Sequence, residues 1–179
     1  IAVVYSLKEW AEILDQLPDQ MVASEEFRSV ASEMTIAVNK LLWDGNWYAR
    51  GIMDDNVVFG VSKDKEGQIF LNPQGWALLS GVADETKRDL LIAAVEDQLE
   101  TPYGVEKIAP PFTSMRDDIG RVTQKFPGSA ENGSVYNHAV AFYIYGLYAV
   151  NKKDSAYRLL RKMIPGPDEE DYIQRGQLP

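Results

Sequence analysis

Ala139-Val140-Ala141-Phe142-Tyr143-Ile144-Tyr145-Gly146-Leu147-Tyr148-Ala149-Val150 is apolar on every side when wound at helical spacing. That pattern marks a helix packed all round by other elements. The run is too short to cross a bilayer and carries three tyrosines, so it belongs in a protein core. Downstream, Asp154, Ala156, Tyr157, Leu159, Leu160 and Met163 set up an amphipathic helix that Pro165 ends.

Upstream the pattern is helical as well. Ser6-Leu7-Lys8-Glu9 has the form of a capping box, and Leu7, Trp10, Ala11, Leu14 and Leu17 make one apolar stripe before Pro18. Ser24 followed by Glu25 and Glu26 is a second start signal, with acids set against the helix dipole. Phe27, Val30, Ala31, Met34, Val38 and Leu41 run on from it. Around residues 44–72 the turn clusters Asp44-Gly45-Asn46 and Asp54-Asp55-Asn56 predict short strands or extended loops. Pro73 opens a short helix through Gly81. Asp84 caps another, with Leu90, Leu91, Ala94, Val95 and Leu99 inward and Pro102 at its end. Residues 102–137 are rich in proline and glycine, keep no period and read as a long loop, the kind usually kept for function. Exposed-face helices alternating with one buried all round predict an all-α chain in two layers, an inner packed by an outer.

Composition narrows the function classes. The chain has 179 residues, 45% apolar and 25% charged, enough for one domain-sized core. With no cysteine there is no disulfide, thiolate metal site or cysteine nucleophile, and a single histidine excludes multi-histidine metal sites. The net charge of −9 repels phosphate backbones and argues against nucleic acid as a partner. No signal-peptide pattern opens the chain, and its ends at Ile1 and Pro179 read as cuts in a longer polypeptide. Glycine-rich nucleotide loops, Gly-x-Ser-x-Gly and His-Glu-x-x-His are absent. The acid pairs Asp54-Asp55 and Asp117-Asp118, and the run from Asp168 to Asp171, read as solvated turns. Asn132-Gly133-Ser134 matches an N-glycosylation sequon.

Chemistry concentrates between Gly120 and His138. This stretch holds the cations Arg121 and Lys125, the carboxylate Glu131 and the one histidine, at the start of the most apolar helix. A histidine at a helix N-terminus, beside free backbone amides, is a reasonable oxyanion ligand. The plainer reading of the residues is that His138 simply caps that helix and packs.

Glu131-Asn132-Gly133-Ser134-Val135-Tyr136-Asn137-His138-Ala139 resembles the Glu-Asn-Gly…His segment of the inverting disaccharide phosphorylases, glycoside hydrolase family 94. Trp43-Asp44-Gly45-Asn46-Trp47-Tyr48-Ala49-Arg50 resembles the family's Asp-Gly-x-Trp-Tyr-x-Arg block. Gly60-Val61-Ser62, the stretch Glu66 to Ala77 and Leu99-Glu100-Thr101-Pro102-Tyr103-Gly104 follow in the family's order. The resemblance implies an (α/α)6 toroid, with residues 1–179 forming a C-terminal portion of one catalytic domain cut at both ends. It implies cleavage of a β-1,4-glucosyl disaccharide by phosphate, with inversion, to α-glucose 1-phosphate. Phosphate takes the place of the water that an inverting hydrolase activates, so a second carboxylate is not needed. The family's general-acid Asp lies upstream of this segment and a Thr-Gly phosphate contact lies beyond it. No catalytic residue is therefore expected within the chain, which should be inactive by itself.

The same resemblance assigns roles. His138 stands where the family binds phosphate, and Glu131 where a carboxylate meets sugar hydroxyls; Ala130 replaces the family's lysine. Arg121 stands where members acting on cellobiose carry a glutamate, and Lys125 adds a second cation. The subgroup with this pattern takes gluconate as acceptor, which makes cellobionic acid the expected disaccharide. Arg121 and Lys125 could instead pair with Asp117 and Asp118 on the surface. Trp47, Arg50, Gln74 and Trp76 are read as scaffold, with a sugar contact open for Trp76. Phosphate is a co-substrate; no metal or organic cofactor, no membrane partner, a cytoplasmic location and a homodimer are implied. Two rival readings stand: a relative with a neutral acceptor, glucose or N-acetylglucosamine, and a non-catalytic helical module for sugar binding or protein interaction. An incomplete toroid should also expose apolar inner helix faces and self-associate.

Overall fold

Helix α1 (Ala2–Leu14) begins four residues before the capping-box signal, because the apolar period runs back through Val4, which is fully buried. Ser6 therefore sits inside the helix, where its hydroxyl donates to the Ala2 carbonyl one turn back (3.4 Å). The same happens at α2 (Met21–Leu42): Ser24 lies in the first turn rather than capping it, buried, with its hydroxyl on the Met21 carbonyl (2.9 Å). Trp10, Leu17, Val30 and Leu41, expected inward, are exposed, while Ala11, Ala31 and Val38 hold the contact. These details come from a computed structural model that describes residues 1–164. Pro165 and the acidic run Asp168 to Asp171 lie outside the described residues.

Three further helices form where the sequence placed them, although Leu90, expected inward, and Tyr157 and Leu160 of the last amphipathic pattern are exposed. Helix α3 (Leu71–Ser80) carries Pro73 in its first turn and ends on Gly81 in the left-handed conformation (φ +67°). Helix α4 (Glu85–Gln98) is capped by Asp84, whose carboxylate accepts from the Lys87 amide (2.9 Å). Helix α6 (Lys153–Met163) buries Ala156 and Leu159. Between α2 and α3 lie the short strands β1 (Gly51–Ile52), β2 (Val58–Phe59) and β3 (Ile69–Phe70). Beyond α4 come β4 (Glu100–Thr101), β5 (Gly104–Val105) and β6 (Ile108–Ala109). Strands β1 and β2, β4 and β5, and β3 and β6 pair antiparallel; the last pair ties the two loop regions together, Phe70 opposite Ile108.

Helix α3 packs against α5 (Asn137–Ala149) and α1, so these three form one row, and α2, α4 and α6 back it as a second layer. The α3–α5 contact is the closest fit. A methyl group on Gly75 would lie 3.2 Å from the Tyr143 backbone, and one on Gly146 3.0 Å from the Gly75 carbonyl oxygen. Glycine at both positions lets the two backbones approach. The expectation that this helix is buried all round is corrected here. Ala139, Val140, Tyr143, Gly146 and Leu147 are buried, whereas Tyr145 and Tyr148 on the other flank are more than half exposed. An apolar run reports which residues can be buried and not which neighbours are there to cover them.

The loop regions are fastened by buried polar groups. Gln74 is fully buried; its side chain accepts from the Tyr48 amide (2.9 Å) and donates to the carbonyls of Tyr48 (2.8 Å) and Phe70 (2.9 Å). Trp47 directs its indole N–H between the carbonyls of Gly60 (3.1 Å) and Gln68 (3.0 Å). A satellite cluster of Phe70, Ile108 and Phe112 fills the space beneath the long loop. Replacing Gln74 with Leu conserves volume but strands the Tyr48 amide and carbonyl, whereas the Phe70 carbonyl keeps its helical partner as the residue that opens α3. Chemical denaturation should show a loss of roughly 2–6 kcal/mol, from about 1–3 kcal/mol for each of the two groups left unsatisfied.

Glu100 fastens α6 to β4 by accepting from Arg158 and Lys162 (2.6 Å to the latter). Burial, the largest single influence, pushes its carboxyl up; the hydrogen bonds and charges of Arg158 and Lys162 together outweigh it and hold the value below the ordinary 4.5. A depressed folded value means stability that is complete above pH 4.5 and is lost as pH falls through the folded value. Stability measured against pH below 4.5 should therefore fall less steeply in Glu100→Gln than in wild type.

Candidate functional site

Arg121 and Lys125 begin and follow a single 3-10 turn, Arg121–Gln124, entered through Gly120 at φ +92°. Thr123 turns inward: its buried hydroxyl accepts from the Arg116 amide (2.8 Å) and donates to the Gly120 carbonyl (2.8 Å). With Thr123 as the anchor, Arg121 and Lys125 point outward and are exposed. The surface-pairing alternative is not realised, since Asp118 pairs with Arg116. Among the described residues, neither Arg121 nor Lys125 forms an ion pair.

Asn132 shapes the next segment. Fully buried, it accepts from the Phe112 amide and donates to the carbonyls of Phe112 and Lys125, each at 2.8 Å. One amide thus fixes the backbone of Lys125 relative to its own neighbour Glu131. The sequon asparagine is accordingly a structural residue. Gly133 follows at φ +79°, where a methyl group would meet Pro111 at 2.7 Å.

Together these turns form a cleft of about 300 Å³ lined by Arg121, Val122, Lys125, Ala130, Glu131 and Tyr136. Three of the four residues singled out by sequence meet there. Glu131 is ion-paired with Lys107, whose ammonium lies 4.9 Å above the Tyr136 ring. Sequence reading missed Lys107, because it reaches the cleft from β6's approach rather than from the motif. The available signal was a lone Glu-Lys pair set between buried Val105 and Ile108.

His138 is not part of that lining. It is the second residue of α5, and the helix has no side-chain cap, so the capping alternative is corrected. Its ring meets Phe142 (5.3 Å) and Tyr136 (6.3 Å) edge-on, and Phe142 packs on Trp76 (5.0 Å). Trp76 in turn lines a neighbouring cleft of about 350 Å³ with Arg50, Asn72, Pro73 and Lys107. Arg50 and Trp76 therefore face open space, whereas Trp47 and Gln74 are scaffold as read. Lys107 borders one cleft and grips a wall of the other. A larger groove, about 480 Å³ along Lys8, Glu12, Arg28 and Thr35, lies between α1 and α2 away from these groups. Among the described residues no cluster of His, Asp and Glu could hold a metal ion, and no helix is long and apolar enough to cross a membrane.

Residues 1–177 match the glycosyl hydrolase 94 superfamily catalytic domain. The chain is 51% identical over its whole length to cellobionic acid phosphorylase of Neurospora crassa and 36% identical to 3-O-β-D-glucopyranosyl-β-D-glucuronide phosphorylase of Paenibacillus borealis. It spans 23% of the length of each. It is 33% identical over 75% of its length to N,N'-diacetylchitobiose phosphorylase of Vibrio proteolyticus, covering 17% of that protein. The chain belongs to the glycosyl hydrolase 94 superfamily and lies within its catalytic domain.

Proposed function

We propose that the protein carrying this chain is an inverting disaccharide phosphorylase that splits cellobionic acid with inorganic phosphate into α-glucose 1-phosphate and gluconate. The observation that carries the acceptor is the pair Arg121 and Lys125, two cations with no ion-pair partner among the described residues, in one cleft of a chain with net charge −9. A charge-assisted hydrogen bond contributes about 1.5–3 kcal/mol. Two of them separate gluconate from neutral glucose by about two to four decades before solvent screening is subtracted. Support also comes from the relatives named for cellobionic acid and for a glucuronide, both acidic sugars.

In this reading a phosphate oxygen attacks the anomeric carbon, the glycosidic C–O bond breaks, and the leaving oxygen takes a proton as gluconate departs. The proton donor is a group outside residues 1–179. His138, at the start of α5 with an exposed imidazole, holds phosphate, and Glu131 meets sugar hydroxyls beside the two cations. The row of α1, α3 and α5 backed by α2, α4 and α6 supplies three of the six hairpins of an (α/α)6 toroid. Exposed Val3 and Trp10 on α1 and Tyr145 and Tyr148 on α5 are the flanks that neighbouring hairpins would cover. We place the enzyme in the cytoplasm, where phosphate is plentiful, as a homodimer needing no metal or organic cofactor.

The test is synthesis from α-glucose 1-phosphate with gluconate or glucose as acceptor, using the full-length protein. Wild type should prefer gluconate by at least tenfold in kcat/KM. Arg121→Glu should abolish gluconate use through repulsion, and Lys125→Ala should cost less, because the guanidinium fork remains. Preference for glucose would favour the neutral-acceptor reading instead. His138→Ala should raise the KM for phosphate in cleavage more than that for disaccharide; unchanged phosphate kinetics would remove that role.

A further inference from the structure

Glu131 shares its cleft with Arg121 and Lys125, and that creates a competition. A carboxylate tethered within reach of two cations is present at an effective concentration on the order of millimolar. It would occupy them before any anionic ligand arrived. The structure shows it elsewhere, paired with Lys107.

We propose that Lys107 is a positioning residue, which holds the Glu131 carboxylate off Arg121 and Lys125 and so keeps both cations open to the carboxylate of an acidic acceptor. This rests on the acceptor reading above and adds the device that makes it work.

Three features make Lys107 a fixed holder. Its amide donates to the Ser134 carbonyl (2.9 Å) and its carbonyl accepts from the Leu71 amide (2.9 Å), so the backbone is pinned on both sides. Its ammonium lies over the Tyr136 ring, itself a wall of the cleft. Its side chain is 14% exposed against 49% for Glu131, so the rigid partner is the buried one. A partly desolvated pair is less screened than an exposed one. Glu131 carries the free end of the pair and sits one residue after Ala130, on a turn closed between Ser129 and Asn132. If the ammonium is removed, the nearest remaining cations in the cleft are Arg121 and Lys125.

The full-length protein with Lys107→Met, Lys107→Arg, Glu131→Gln and the double change Lys107→Met with Glu131→Gln tests this, using calorimetry with gluconate and a crystal structure of the first variant. Lys107→Met should weaken gluconate about tenfold, with the Glu131 carboxylate found on Arg121 or Lys125. The double variant should bind gluconate more tightly than Lys107→Met, since a neutral amide does not compete, and about as tightly as Glu131→Gln alone, which carries the lost sugar-hydroxyl contact. Lys107→Arg should bind within about twofold of wild type. Should Lys107→Met fail to fold, Lys107→Gln makes the same comparison with the same expected loss. Gluconate binding unchanged by loss of the ammonium, a double variant no tighter than the single, or Glu131 remaining away from both cations would each overturn the role of Lys107. Wild type that binds glucose but not gluconate would overturn the acceptor reading, while the position of Glu131 in the Lys107→Met crystal still judges the competition itself.

Discussion

Helices α3 and α5 meet at Gly75 and Gly146 with no side chain between their backbones, and the loop end of the molecule is built on that closeness. Because the helices touch, their first turns are neighbours. A single extended segment, Lys107 and the residues after it, can then bond the start of α3 at Leu71 and the approach to α5 at Ser134 at once. The loop between β6 and α5 is strung from those two points. A methyl group at Gly146 would meet Leu78 Cβ at 2.9 Å and the Gly75 carbonyl at 3.0 Å, so the helices would have to shift, and one at Gly75 would press the Tyr143 backbone by a few tenths of an ångström.

Two buried amides finish what the helix contact begins. Gln74 holds the Tyr48 turn and Asn132 holds the Phe112 and Lys125 backbones, each with three short hydrogen bonds and no exposure. Such groups are stabilising only when fully partnered, so each specifies one conformation of its loop over near alternatives. The exposed charges at the cleft are held by this polar framework rather than by packing of their own. That division suits a binding surface: the side chains that meet ligand are not the ones that fold the loop.

The fold class was legible from periodicity, and the terminators at Gly81 and Asp84 were legible from local chemistry, because each acts within its own turn. Helix starts at Ser6 and Ser24 were not, since burial of Val4 and the apolar first turn of α2 extend those helices past a good capping residue. The flank of α5 left open at Tyr145 and Tyr148 depends on which neighbours are present, and no pattern within the helix carries that. At the cleft, Arg121, Lys125 and Glu131 lie within a few turns of one another and could be grouped by eye. Lys107 enters from 24 residues before its partner, brought there by the Glu106–Val135 bridge and the bond from its own amide to the Ser134 carbonyl, neither of which a local pattern announces.

Asn132 carries a last consequence, for how the protein can be made. Both protons of its Nδ2 are committed, one to Phe112 and one to Lys125, in a site closed to solvent. Attachment of an oligosaccharide replaces one of those protons and needs room outside the fold. Glycan and folded loop are mutually exclusive. A eukaryotic secretory host that modifies this sequon on the nascent chain would thus produce molecules unable to close the loop, and a host without that modification avoids the conflict.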